Sequence, residues 1–217
     1  MIRILIVDDH DLVRTGLSRM LGDMPDIEVV AEASSGEEAI TVCRKVCLDK
    51  ERIDVVLMDV RMPGIGGLEA TRKIHQFNPA IKVIAVTICD DQLYPTKLME
   101  AGASGYVTKG INIDEMVTAI KAVARGQRYI SPDIAQMLAL KSLQPDSDSP
   151  FDVLSTREMQ IALMIVGCEK VQSISDQLSL SPKTVNSYRY RIFEKLNISS
   201  DVELTHLAIR HSLVETV

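Results

Sequence analysis

Three carboxylates, one hydroxyl and one ammonium fall at the carboxyl ends of four apolar, β-branched runs. ILIVDDH (4–10) runs straight into Asp8 and Asp9. IDVVLMD (53–59) ends in Asp59, IKVIAVT (81–87) in Thr87, and SGYVTK (104–109) in Lys109. Adjacent carboxylates at the end of a buried strand repel one another and resist desolvation, so they need a compensating charge. A hard cation meets that need: Mg²⁺ takes a few carboxylates and keeps several waters. A cation beside a Lys and a Thr in turn suits a phosphoryl group, with Lys pairing its charge and Thr donating a hydrogen bond. There is no Gly-rich phosphate loop for a nucleotide. The phosphoryl is therefore expected to be small or attached to an acid, because a carboxylate acting as nucleophile forms an aspartyl phosphate.

The elements that must position these groups follow from the periodicity. Apolar runs at 2–7, 27–31, 53–58, 81–86 and 105–108 predict buried parallel strands. Helical patterns near 11–22, 36–48, 67–77, 92–101 and 113–125 lie between and after them. Five β–α units in sequence predict an α/β fold with a parallel sheet, helices on both faces and ligands at the strands' carboxyl ends. Gly102, Gly105 and Gly126 stand at expected helix exits or turns. Residues 131–143 open on Ser131, a natural N-cap, and Pro132, which predicts a short helix. KSLQPDSDSPFD (141–152) is rich in Ser, Asp and Pro and reads as a linker. Beyond it only helical periodicity remains, near 156–166, 171–178, 182–196 and 201–211.

Composition narrows the class. The chain has 217 residues, 46% hydrophobic and 25% charged, an ordinary globular balance. No apolar run approaches the ~20 residues that span a bilayer, and MIRILIVDDH does not resemble a secretory signal, so a cytoplasmic protein is expected. Four scattered cysteines (Cys43, Cys47, Cys89, Cys168) lack the clustering of a disulfide framework or metal site. His10 is expected to be a surface neighbour of the acids, and His75, His206 and His211 to lie on solvated faces. The net charge of −6 is uneven: residues 153–217 hold seven basic and seven acidic residues, so the rest of the chain carries all of it. A global balance of this kind conceals a local basic face.

That face lies on the 182–196 helix. Residues 171–178 and 182–196 form a helix–turn–helix candidate with LSLS (178–181) as the turn, Ser181 as N-cap and Pro182 in the first turn. Val185, Ile192 and Leu196 make an inward stripe, with Lys183, Asn186, Ser187, Tyr190, Arg191 and Glu194 opposite. Four basic residues against one Glu give the helix a charge of +3. Amides, hydroxyls and cations on one exposed face are the chemistry of base edges and phosphates.

With the acids, the MPG turn (62–64), Thr87 and Lys109 all in place, the first ~125 residues resemble the receiver domain of two-component response regulators, a (βα)5 flavodoxin-like fold. The resemblance implies Asp59 as phosphoacceptor, and Mg²⁺ on Asp9, Asp59 and the backbone carbonyl of Arg61, with Asp8 acting through water. It implies Thr87 and Lys109 on the phosphoryl group, and Tyr106 as a switch aromatic that turns inward when Thr87 moves. An aspartyl-nucleophile phosphatase needs a second Asp two residues after the nucleophile; that position is Arg61. Two departures from commoner receivers are Gly110, where Pro often follows the Lys, and Ile88 after Thr87, expected to crowd the phosphoryl group and slow attack by water.

LSTRE (154–158), Gly167 and ISDQLSLSPKTVNSYRYRIFEKLNI (174–198) resemble the LuxR-type helix–turn–helix of NarL/FixJ regulators. The resemblance implies base reading by Asn186, Ser187 and Tyr190. It puts Lys170, Ser181, Lys183, Thr184, Arg191 and Lys195 near phosphates, and makes the last helix a dimer surface. KVQSISDQL, SPKTVNSYRYRIFEKL and DVELTHLAIRH resemble the GacA/UvrY/LetA branch. That implies a hybrid sensor histidine kinase of the BarA/GacS type, promoter DNA and RNA polymerase as partners, a homodimer, and small RNAs that titrate a CsrA-type protein as targets. The expected organisation is a receiver over 1–126, a linker with a short helix over 127–152 and a small all-α DNA-binding domain over 153–217. The expected function is phosphorylation-gated transcription control, without enzymatic action on a free substrate. The alternative is a phosphoryl-relay or protein-interaction module that does not bind DNA.

Overall fold

Alternation along the strands divides the first core in two. The computed structural model describes residues 1–49, 51–87, 94–142, 150–178 and 180–211. Strands β1 (Ile2–Val7), β2 (Ile27–Ala33), β3 (Val55–Asp59), β4 (Lys82–Thr87), β5 (Gly105–Thr108) and β6 (Tyr129–Ile130) form one sheet in the order β2-β1-β3-β4-β5-β6. Every pairing is parallel. Helices α1 (Asp11–Gly22), α2 (Gly36–Leu48), α3 (Gly66–Phe77), α4 (Tyr94–Glu100), α5 (Ile113–Ala124) and α6 (Pro132–Ser142) connect or follow the strands. Leu5, Val7, Val56, Met58 and Val83 pack with Ala39, Ile40 and Cys43 of α2 and Ala70 and Ile74 of α3. Ile4, Ile6, Val55, Leu57, Ile84 and Val86 pack with Leu21 of α1 and Met116, Ala119, Ile120 and Val123 of α5. Both faces of the sheet are covered, which is why these strands are apolar at successive positions.

The strand count differs from the expected five. Tyr129 and Ile130 add a sixth strand along β5, with Tyr129 N–H donating to Ser104 O at 3.1 Å and Ser131 N–H to Tyr106 O at 3.0 Å. Two residues are too few to show a period of two. The compact units are Met1–Ala139 and Leu140–Val217. Residues 129–138, expected to lie within a linker, thus belong to the first unit: Ile130, Ile134, Met137 and Leu138 pack with Leu98, Ala103 and Tyr106. Ser131 does not cap α6 with its side chain, since its buried hydroxyl makes no hydrogen bond among the described residues. Gly102 (φ +101°) and Gly126 (φ +82°) take the left-handed turns expected of them, whereas Gly105 opens β5. A Cβ at Gly102 would meet the His75 ring 2.3 Å away, so His75 is half-buried against the backbone rather than on a solvated face. Cys43 is buried, and burial pushes its thiol up to about 12. Cys47 and Cys168 are also free thiols, and Cys89 lies outside the described residues. Among the described residues, no helix is long and apolar enough to cross a membrane.

In the second unit a 3₁₀ turn, Pro150–Val153, buries Phe151 within the expected linker. Helices α7 (Thr156–Val166), α8 (Val171–Gln177), α9 (Pro182–Leu196) and α10 (Asp201–Arg210) follow. Ser155 and Glu158 close a reciprocal capping box at the start of α7. Ser181 caps α9 and Ser200 caps α10. Asn197, in the left-handed conformation at φ +52°, ends α9. Glu158 is buried and receives the Lys195 ammonium at 2.6 Å. Burial pushes its carboxyl up, but the hydrogen bonds from Lys195 and Ser155 together outweigh that and hold it below the usual range. Its folded-state pKa is therefore lower than its unfolded one, so its stabilisation is present above the unfolded value and lost as pH falls through the folded one. Urea unfolding of the full chain followed by circular dichroism is expected to show Glu158→Gln less stable than wild type at neutral pH. That difference should shrink on acidification; a pH-independent difference would contradict the ion-pair account.

Candidate functional site

Asp8, Asp9, Asp59, Thr87 and Lys109 all sit at the carboxyl edge of the first unit's sheet, because each follows or ends its strand. Asp59 closes β3 and is 3% exposed; Asp8 follows β1 and is also 3% exposed. The Lys109 ammonium lies between them, 2.7 Å from Asp59 Oδ2 and 2.8 Å from Asp8 Oδ2. Arg61 N–H donates to Asp59 Oδ1 at 3.1 Å, and His10 N–H to Asp8 Oδ1 at 2.9 Å. Burial raises the Asp59 carboxyl above the ordinary carboxylate range, against the pull of Lys109 and with the help of Asp8. Burial works to lower Lys109, but hydrogen bonds and charge from Asp59 and Asp8 raise it overall. One ammonium against two buried carboxylates leaves this pocket short of positive charge. Asp8, Asp9, His10 and Asp59 each bring one ligand atom within 4.8 Å of the others.

Several supports of this pocket carry no signal in strand periodicity. Arg14, one turn into α1, donates from Nη1 to the Asp8 backbone carbonyl at 2.8 Å and is also paired with Asp11. Gly67 packs directly against Asp59: a Cβ there would stand 1.9 Å from the Asp59 carbonyl oxygen. Its N–H donates to Val60 O at 3.1 Å, tying the start of α3 to the end of β3. Glu37, in the first turn of α2, accepts from Ile65 N–H at 2.9 Å and so holds the loop between β3 and α3. The glycine doublet after MPG, Gly66–Gly67, is the one sequence signal that points to this close approach.

Thr87 ends β4 with its side chain buried, and Lys109 N–H donates to its carbonyl at 2.6 Å. Tyr106 is wholly buried in the cluster with Leu98, Ala103 and Ile134. The ring expected to turn inward is thus already inside, because β6 and α6 close over that side of β5. Ile88, expected to crowd the phosphoryl group, lies outside the described residues.

In the helical unit, Ser175 Oγ donates to Leu180 O at 2.6 Å and Arg157 Nη2 to Leu178 O at 3.1 Å, bracing the turn between α8 and α9. Val185, Ile192 and Leu196 are buried as expected. Lys183, Ser187, Tyr190 and Arg191 are exposed on α9, Tyr190 at 72%, while Thr184 and Asn186 are half-buried. Lys170 is the exposed N-cap of α8. Ser181 and Thr184 hydroxyls bond one another at 2.8 Å, and Ser187 donates to Lys183 O at 2.9 Å. Lys195 departs from this set, since its ammonium lies on buried Glu158. Arg189 is held by two hydrogen bonds to Asp201, at 2.7 and 2.5 Å. Two of the helix's four cations are therefore engaged within the fold.

A parallel sheet with a lysine-bridged acidic pocket, followed by a helix–turn–helix unit, defines a response regulator with a DNA-binding output domain. Comparison bears this out. Residues 4–121 match the response regulator receiver domain, and residues 152–208 match the luxR family of bacterial regulatory proteins. Over 215 residues the chain is 65% identical to the response regulator GacA of Pseudomonas protegens, covering 99% of both chains. It is 56% identical over 214 residues to the response regulator UvrY of Escherichia coli, covering 98% of this chain and 96% of that one. The crystal structure of a LuxR-family two-component response regulator from Aurantimonas sp. matches with a TM-score of 0.61 at 42% identity. That match covers 65% of this chain and 98% of that one. The chain belongs to the two-component response regulators with a LuxR-type DNA-binding domain, a family of regulators rather than enzymes.

Two substitutions test the pocket. Gly67→Ala drives a methyl group into the Asp59 carbonyl and is expected to cost about 1–3 kcal/mol in urea melts; an unchanged midpoint would show that α3 shifts freely. Lys109→Met leaves two buried like charges unpaired, with an expected loss of about 3 kcal/mol at neutral pH. That loss should narrow as the pH falls and the carboxylates take up protons. A loss that stays constant with pH would assign it to packing.

Proposed function

We propose that the chain is a cytoplasmic, phosphorylation-gated transcription factor, in which phosphoryl transfer to Asp59 from a hybrid sensor histidine kinase alters DNA binding by α9. The observation that carries this reading is the Lys109 ammonium held between Asp8 and Asp59, in a pocket that still lacks positive charge. The donor set fits Mg²⁺: it consists of hard oxygens, and Asp9 Oδ1 is buried without a hydrogen bond among the described residues. Asp8, Asp9, Asp59 and the Arg61 backbone carbonyl would hold the ion. When bound, Mg²⁺ neutralises charge on the phosphoryl oxygens. In the transfer, an Asp59 carboxylate oxygen bonds to phosphorus as the bond from phosphorus to the kinase's histidine nitrogen breaks. That nitrogen leaves with the electron pair. Lys109 then pairs with a phosphoryl oxygen and the Thr87 hydroxyl donates to another. Movement of Thr87 is felt at Tyr106, which biases the receiver between two states.

On DNA, Asn186, Ser187 and Tyr190 read base edges in the major groove, and Lys170, Ser181, Lys183, Thr184 and Arg191 hold the backbone. Lys195, with its ammonium on Glu158, supports α9 from behind. A homodimer reads a near-palindromic site and recruits RNA polymerase. Resemblance to GacA and UvrY supports genes for small RNAs that titrate a CsrA-type protein as the targets.

The test is sequencing of genomic DNA fragments retained by the purified protein with and without acetyl phosphate and Mg²⁺, with Asp59→Asn as control. Enrichment of a short palindrome that requires both phosphodonor and Asp59, and that weakens steeply with salt, is the expected result. Equal enrichment without the phosphodonor removes the gate. No enrichment under any condition favours the phosphoryl-relay alternative.

A further inference from the structure

We propose that α6 is a latch on the receiver's switch: it docks only while the Tyr106 ring lies inside, so that phosphoryl binding at Asp59 tightens α6 against β5. The inference rests on the reading of Asp59 as phosphoacceptor and of Tyr106 as the aromatic that follows Thr87. Tyr106 is wholly buried, and Ile134 of α6, 2% exposed, packs in the same cluster with Leu98 and Ala103. Met137 and Leu138 join that contact, so one helical stripe at spacings of three and four meets the ring's side of β5. The main chain couples the two as well: Ser131 N–H donates to Tyr106 O at 3.0 Å, directly before α6 begins at Pro132. An outward ring needs the space that this stripe fills. Close-packed side chains do not yield by degrees; they exchange one arrangement for another. An outward ring and a docked α6 therefore exclude one another.

The hold on α6 is slight enough to open. β6 contributes two residues, Tyr129 and Ile130, to the sheet. Ser131 Oγ is buried and makes no hydrogen bond among the described residues, an unmet group that costs free energy only while α6 is docked. Met137 and Leu138 are half-buried, and Leu140 is 56% exposed. Few buried contacts and an unmet hydroxyl mark an element that opens before the rest of the sheet does. α6 runs from Pro132 to Ser142, past Ala139 where the first compact unit ends. It is thus the first stretch of chain leading to the helical unit that registers the ring. Linkage makes the effect reciprocal: what phosphoryl binding does for docking, docking does for phosphoryl binding.

Beryllofluoride with Mg²⁺, a phosphoryl mimic that binds reversibly, supplies the test on the full chain. Hydrogen exchange over 133–138 is measured with and without it in wild type and Asp59→Asn. Its affinity is measured by isothermal titration in wild type, Ile134→Ala and the milder Met137→Ala, each checked for native circular dichroism. Exchange over 133–138 is expected to slow about fivefold in wild type and to stay unchanged in Asp59→Asn. Trimming the stripe lowers the docked fraction, so Ile134→Ala should bind the mimic about fivefold more weakly, with Met137→Ala between it and wild type. Binding that depends on Asp59 but leaves exchange over 133–138 unchanged or faster would overturn the latch. So would wild-type affinity in both stripe variants. Absence of Asp59-dependent binding in wild type would instead overturn the reading of the phosphoacceptor, and the latch with it.

Discussion

A single ammonium shared by two buried carboxylates is the constraint around which the receiver is arranged. Lys109 follows β5, yet it must reach across β4 to Asp59 on β3 and on to Asp8 after β1. Only a long, flexible cation does this, and only if the strand ends are level. The register supplies that level: Asp59 pairs with Val86, and Thr87 with Thr108. Slippage in any of these ladders would pull the ammonium off one acid and leave a buried, uncompensated charge. Gly67, Arg14 and Glu37 belong to the same arrangement, because each holds backbone beside one of the two buried acids.

The helical unit applies the same economy of charge. Glu158 caps α7 and also anchors Lys195 near the end of α9, so one carboxylate sets the relation of two helices. Arg189 does likewise toward α10 through Asp201. The outward face of α9 is consequently less basic than its composition suggests, with Lys183 and Arg191 exposed beside the uncharged Ser187 and Tyr190. In the proposed DNA complex, a face of that kind would give base contacts a larger share of binding relative to bulk electrostatics.

Most of the architecture was legible because burial on both faces forces continuous apolar strands, and because each residue of the acidic pocket sits at or just past a strand's end. Asp8, Asp59, Thr87 and Lys109 could be brought together from order alone. The amphipathic stripe of Val185, Ile192 and Leu196 was equally plain. What was hidden depends on distances between segments far apart in sequence. Lys195 looks like any exposed helix cation until Glu158, thirty-seven positions earlier, is seen beside it. Tyr129 and Ile130 form too short a strand for periodicity to register, and the inward position of Tyr106 follows from their pairing. Gly67 matters only because the Asp59 carbonyl occupies the space a side chain would need.

That sixth strand bears on where the chain can be divided. A fragment ending at Gly126 would strip the outer border of β5, leaving Ser104 O and Tyr106 O without the donors they have here and uncovering the apolar side of Tyr106. A bare border of this kind is a template for pairing with a second molecule. Such a fragment would tend to self-associate through β5, and its oligomeric state would describe the cut rather than the regulator. Division after Ala139 keeps the border closed.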